Sequence, residues 1–462
     1  MKPKYFLALG LLVLGLGSCG ESFFEQYPSN NITEGNFYKT DDDFNQGVVA
    51  CYAKLKTQMS FHLTEIGYRG DENVLESMAV STQNRYDIDH FAETANNGIL
   101  NDIWNAWYNG IYRCNDVLDH MTGAKIANYD KYRGECLFLR SWWYFNLYRV
   151  FGVVPITRTV VTPAAAKLIP RCTEEEMYTL LTEDLAEAAR LLPPTPGPEK
   201  ARVANIAAYT LLAKVYLTFG KPAEAKTALE EAMKNTSYGL ESTTKKVFDV
   251  GNKMNREIIF ALYYNKTNDN GHGYWYSANT DVLADINNPT PTFKAIYDSE
   301  KDNRLPLISS YTKIKDNLFA MTKWYDTYDA TYTTQVGNDF PHLRYADVVL
   351  MYAEALAESG GSLGDALEWL NKTRTRAGLD ELTTDEVKSL AEFRRELAAE
   401  RGREFALEGH RWFDLVRLGL AVDYFCEMGY SLDSHNLIFP IPQNQIEIVN
   451  NPSILWQNPG FN

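Results

Sequence analysis

Apolar positions return every three or four residues over most of the first half of the chain. From Tyr38 to Leu55 they mark an amphipathic helix behind Asp41, Asp42 and Asp43, whose charge suits the positive end of a helix. A second helix spans about Ile99 to Met121, where Ile103, Trp107, Ile111, Cys114 and Leu118 share one face. A third covers Tyr129 to Phe151 through Leu137, Ser141, Tyr144, Tyr148 and Phe151, and Gly152 stops it. A fourth starts after Thr173, which with Glu176 spells a capping box, and ends before Pro193-Pro194. Trp104, Trp107, Trp142, Trp143 and Trp412 fall on these and later helical patterns and are expected in the core.

Two later stretches have the small-residue seams of tetratricopeptide units. One runs through Leu212, Ala213, Tyr216, Gly220, Ala225, Leu229 and Ala232; a looser copy uses Ala353, Leu356, Ala366 and Leu370. A small side chain lets one helix approach the next, and a bulky one a turn away fills the groove. Such units bury little alone, so several should stack. Between about 238 and 340 the helical period fades, and Gly, Asn, Asp, Thr and Tyr dominate with short strand-like pieces such as Ile258–Leu262. This predicts a mostly α fold: a helical scaffold over about 36–237 and 341–420, a loop-rich region over about 238–340, and an extended C-terminal segment over about 430–462. Irregular stretches of that size are usually functional or disordered, and the aromatic content argues against disorder.

The start of the chain adds an address. Lys2 and Lys4 precede an apolar run from Tyr5 to Leu16, too short to span a bilayer, ending Leu16-Gly17-Ser18-Cys19. This resembles a bacterial lipobox, which implies removal of residues 1–18 and acylation of Cys19. Net charge is −15 overall, and −17 without Lys2 and Lys4. That argues against nucleic acid as a partner. Five other cysteines, Cys51, Cys114, Cys136, Cys172 and Cys426, are widely and irregularly spaced and read as small buried residues.

Catalytic patterns fail on context. Gly15–Gly20 spells GxGxxG without a strand before it or a helix after it. Gly360-Gly361-Ser362-Leu363-Gly364 spells GxSxG, but a helix precedes it where a nucleophile elbow needs a strand, so it reads as the turn between two helices. The seven histidines lack HxxxH or HExxH spacing, and no metal or cofactor is expected. Asp71-Glu72 and Asp87-Ile88-Asp89 are possible carboxylate pairs, read as solvated loop groups. The charged block Glu396 to Arg417 carries Glu400, Arg403, Glu404 and Arg411 at helical spacings and reads as structural ion pairs.

Binding chemistry has better candidates. Sugar rings stack C–H faces on flat aromatics and hydrogen-bond through their hydroxyls. One suitable mixture is Tyr68, Arg69 and Asp71 with Asn84, Arg85 and Tyr86. The other is Tyr274, Trp275 and Tyr276 with Trp324 and Tyr325, Trp275 following a glycine-rich stretch.

Several segments together resemble the SusD/RagB family. They are Leu343 to Ala355; Glu400 to Arg417; Phe439-Pro440-Ile441-Pro442 with Asn451-Pro452 and Gln457 to Phe461; Trp104 through Asn115; and Leu139 through Pro155. Phe461 departs from the tyrosine that often ends the family pattern. The resemblance implies about four tetratricopeptide-like helix pairs bearing a variable, loop-rich half, without enzymatic activity. It implies a lipoprotein held in the outer membrane by its acyl anchor, facing the cell exterior. It further implies capture of oligosaccharides, or sometimes peptides, for a SusC-like TonB-dependent barrel transporter. A glycan-processing hydrolase and a tetratricopeptide adaptor that binds only proteins are the alternatives.

Overall fold

The computed structural model describes residues 37–72, 83–264, 277–279, 289–315, 318–324 and 337–461. Helices α1 (Asp41–Gly67), α2 (Gln83–Asp89), α3 (Gly98–Met121), α4 (Tyr129–Phe151) and α5 (Glu174–Leu191) form the first half. Thr40 and Asp43 close a capping box on α1, which continues past Leu55 to Gly67. Thr173 and Glu176 close the expected box on α5. The apolar faces read from α3 and α4 are interior, apart from half-buried Tyr148, and all five core tryptophans are buried.

Helices α6 (Asn205–Thr218), α7 (Pro222–Met233), α8 (Tyr345–Glu358), α9 (Leu363–Arg376) and α10 (Leu390–Phe405) carry on the stack. Each packs on its neighbour: α1 on α3, α3 on α4, then α5, α6, α7, α8 and α9 in turn, with α10 on α8. Ala213 and Ala225 are fully buried in the α6–α7 pair, as the repeat seam requires. At α3–α4 the close approach needs Gly110, since a Cβ there would run into the Trp143 indole. The GxSxG stretch is a helix–helix turn, in which Ser362 Oγ accepts the Asp365 N–H at 3.0 Å and caps α9. Short helices α11 (Arg411–Arg417), α12 (Ala421–Glu427) and α13 (Gln443–Val449) complete the chain. The last lies where extended chain was expected, directly after Pro442. Four buried cysteines match expectation, whereas Cys426 is exposed.

The irregular half carries short strands. β1 (Ile258–Leu262), β2 (Ser277–Asn279), β3 (Tyr311–Lys315), β4 (Leu318–Met321) and β5 (Phe340–Arg344) form two small sheets, β1–β5 and β2–β4–β3, all antiparallel. Because Phe340–Arg344 pairs with β1, the helical scaffold resumes at Tyr345.

A buried ion network joins this half to the helices. Arg344 binds Glu257 (2.8 Å), Glu404 and Glu408 (2.8 Å). Arg304 binds Asp302 (2.8 Å), Glu400 (2.7 Å) and Glu404 (3.0 Å). Arg376 bridges Glu257 and Glu404, Lys323 binds Glu408, and Arg403 binds Glu400. Burial alone would raise the Glu404 pKa, but Arg376, Arg344 and Arg304 outweigh it and hold the carboxyl well below its usual range.

The chain's end is stitched to its first half. The Arg171 guanidinium donates to Val153 O (2.7 Å), Trp456 O (2.8 Å) and Asn458 Oδ1 (2.7 Å). Asn458 Nδ2 donates to Phe151 O (3.0 Å) and Phe439 O (2.7 Å), and Phe439 N–H donates to Val150 O (2.8 Å).

One core residue makes stability pH-dependent. His342 sits among Trp142, Phe260 and Phe340, at 4.8, 5.7 and 5.0 Å between ring centroids. Burial, then Lys214 and Arg149, push its pKa down to about 3. The unfolded chain therefore takes up a proton below about pH 6.5 that the folded chain refuses, so stability falls as pH drops from there toward 3. Urea titrations at stepped pH should show His342→Phe with a shallower acid decline, by up to about 1.4 kcal/mol per pH unit. An unchanged slope would mean the imidazole does not titrate this way.

Candidate ligand-binding site

The first mixture of rings and polar groups splits in two. Asn84 is exposed, and Arg85 and Tyr86 are half-buried, on the short helix α2. Three contacts fix that helix. Asn97 caps α3 through Oδ1, accepting the Ile99 N–H at 3.0 Å, while its Nδ2 donates to Asn84 O at 2.9 Å. Arg85 Nε and Nη2 both donate to Glu65 Oε1 at 3.3 Å, near the end of α1. His90 stacks on Tyr86 with centroids 3.8 Å apart and planes 16° from parallel, and its Nδ1 lies 3.0 Å from Tyr86 O. Burial pushes the Glu65 carboxyl up to about 7, against the pull of Arg85. The outcome is an aromatic ring held by its histidine neighbour on a short helix that also carries an exposed neutral amide and a half-buried guanidinium, groups able to stack on sugar rings and to hydrogen-bond hydroxyls.

Tyr68, Arg69 and Asp71 lie inside, correcting the expectation that they face a ligand. Arg69 pairs with Glu93 and packs over Phe439 (4.0 Å), Phe91 (4.9 Å) and Trp412 (5.3 Å). Asp71 accepts from Arg411 Nε at 2.8 Å and Nη2 at 3.3 Å, and from the Tyr424 hydroxyl. A charge bound this way is worth more to the interior than to a surface, because leaving it unpaired there is costly. Glu72 is buried too and accepts the Leu407 N–H at 2.6 Å; burial pushes its pKa up to about 8. Neither Asp71 nor Glu72 is a solvated loop group. Trp324 is also interior, 1% exposed, edge-on to Phe248 at 5.1 Å and near Phe340. Tyr274, Trp275, Tyr276 and Tyr325 lie outside the described residues, as does Cys19.

With fold and rim in place, likeness to known proteins decides the family. A SusD family model matches residues 302–461. Another, described as starch-binding and associating with the outer membrane, matches residues 27–217. The chain belongs to the SusD family. SusD-like protein P2 of Formosa agariphila is 25% identical over 99% of this chain and 100% of its own. A SusD superfamily protein from Bacteroides vulgatus superposes with a TM-score of 0.77 at 23% identity, over 92% of this chain and 100% of that one. A laminarin-binding SusD-like protein gives 0.76 at 24% identity, with the same coverage. The likeness to these two structures speaks to the helical SusD-like fold.

His90 is the rim residue that the sequence reading left without a binding role. Its signal was the four-residue spacing from Tyr86, which on a helix stacks two rings. The interior placement of Asp71 has its own consequence. Asp71→Ala strands Arg411 and should cost about 3–5 kcal/mol in urea unfolding, with ligand affinity of the folded protein unchanged. Lost affinity at full stability would return Asp71 to the binding surface.

Proposed function

We propose that this SusD-family chain binds oligosaccharides at the short helix carrying Asn84, Arg85 and Tyr86, completed by the aromatic segment Tyr274–Tyr276 and Tyr325. The observation that carries this reading is the Tyr86–His90 stack, a ring held in place on the short helix that also exposes the neutral amide of Asn84. The starch-binding description of the matching family model and the laminarin-binding structural relative support the ligand class. The chain is held in the outer membrane through acyl groups on Cys19, faces outward, and passes its ligand to a TonB-dependent barrel transporter. It binds and does not cut. One acyl chain of a dozen or more methylenes, at roughly 0.8 kcal/mol each, anchors marginally, and the several chains of a bacterial lipoprotein anchor firmly.

Two experiments test this. Calorimetry of the acyl-free protein should show heat with neutral hexasaccharides, and Tyr86→Ala should weaken that binding roughly tenfold, the loss of one stacking contact. Silence across the panel while a partner barrel still binds would make the chain a protein adaptor, and new reducing ends at turnover would make it a hydrolase. In cells, radiolabelled palmitate should enter the wild-type protein and not Cys19→Ala; equal labelling would remove the anchor assignment.

A further inference from the structure

Helix α3 carries two stripes that run from the edge of its core face out to the surface. Trp104, Tyr108 and Tyr112 fall four residues apart, and so do Asn101, Asn105 and Asn109. Spacing of four keeps each set on one face, and the adjacent numbering lays them side by side along about 12 Å of helix. The Trp104 and Tyr108 rings meet at 5.0 Å and 43°. Tyr112 is 46% exposed. Asn105 Nδ2 donates to Asn101 Oδ1 at 3.2 Å, and Gln445 of α13 donates to Asn105 Oδ1 at 3.1 Å.

The three rings and, of the amides, Asn105 floor a cavity of about 380 Å³, walled by α13 and by residues 155–169. The 155–169 wall is fixed by bonds already made. The Tyr108 hydroxyl donates to Pro155 O at 2.7 Å, and Asn115 Nδ2 donates to Thr157 O and Thr159 O at 3.0 and 3.2 Å. Other polar atoms remain open: among the described residues nothing bonds the Trp104 indole N–H or the Gln445 carbonyl oxygen. Among the described residues Lys167 is the only charged one in the lining, and none of them brings a carboxylate to the cavity.

We propose that this groove is a second, separate glycan site, taking two or so consecutive rings of a neutral oligosaccharide. The rings' C–H faces lie along Tyr108 and Tyr112, and their hydroxyls bond Asn105, Gln445 and the Trp104 N–H. The described lining has no carboxylate to hold a cationic ligand, while flat rings beside neutral amides match the alternating apolar and hydroxyl surface of a sugar. The inference rests on the carbohydrate reading above but uses none of the α2 rim residues.

The test titrates the full acyl-free chain with neutral hexasaccharides of β-1,3-glucan, α-1,4-glucan, β-mannan and β-xylan. Wild type, Tyr112→Ala, Asn105→Ala and Tyr86→Ala are compared, with hydrogen exchange followed at residues 157–169 and 443–449. Tyr112 and Asn105 are exposed, so their variants keep the fold. The expected isotherm has two classes of site. Tyr112→Ala and Asn105→Ala should weaken one class, Tyr112→Ala roughly tenfold or more, and erase the exchange protection at the two walls. Tyr86→Ala should affect only the other class. A single class removed by Tyr86→Ala and indifferent to Tyr112→Ala overturns the second site and leaves the first. A single class removed by Tyr112→Ala and indifferent to Tyr86→Ala does the reverse. No heat from any hexasaccharide overturns both.

Discussion

The two halves of this molecule meet through charge rather than through grease alone. Five buried carboxylates (Glu257, Asp302, Glu400, Glu404 and Glu408) are matched by five buried cations (Arg304, Lys323, Arg344, Arg376 and Arg403). Taking so many ions out of water costs several kcal/mol each, and their mutual attraction roughly repays it only when every partner is in place. Such a junction adds little net stability, yet any other docking of the irregular half would strand a charge in the interior. The network therefore acts on geometry. Arg344 sits at the end of β5 and pairs with both β1's neighbour Glu257 and helix α10, so the strand pair and the helical stack share one set of contacts. Residues displayed by the irregular half inherit their placement from it.

Much of the helical half could be read directly because its signals are local. Capping boxes at Thr40 and Thr173 and the three-and-four spacing of Ile103 to Leu118 depend on neighbours a turn away. The block Glu400 to Arg411 was legible as ion pairs for the same reason, although most of its partners proved distant. What local pattern could not supply was the fate of polar residues outside helices. Asp71 finds Arg411 across 340 positions and Arg69 finds Asn436 across 367. A Tyr-Arg-Gly-Asp sequence is written the same way whether it rims a ligand or staples an interior. Trp324 illustrates the same limit, since an aromatic next to a short strand serves a shelf or a core equally well. Of the first mixture, Asn84 and Tyr86 reach the surface because α2 is held up from below by Glu65 and Asn97.

Helix α3 shows how one element serves both purposes. Its inner face, Ile103, Trp107, Ile111 and Cys114, is locked into the stack, with Gly110 admitting the Trp143 indole. Its first turn, capped by Asn97, supports the α2 rim. Its outer face presents Asn105 and Tyr112 toward α13. Rings on so rigid a rod lose little freedom when something docks against them, which keeps the entropic cost of binding low.

The Arg171 and Asn458 contacts carry a consequence for how the chain comes into being. The carbonyl of Val150, near the end of a helix made early, takes its bond from Phe439, and that of Phe151 takes one from Asn458 beside a longer one from Arg171, which itself reaches on to Trp456 and Asn458. Contacts of such long separation form late, since their loop-closure entropy must be met first. Synthesis runs from the N-terminus, so an emerging polypeptide can gather its early helices but cannot seal them. Until the final stretch arrives it stays unfinished, so the last residues to be made decide when the first helices set.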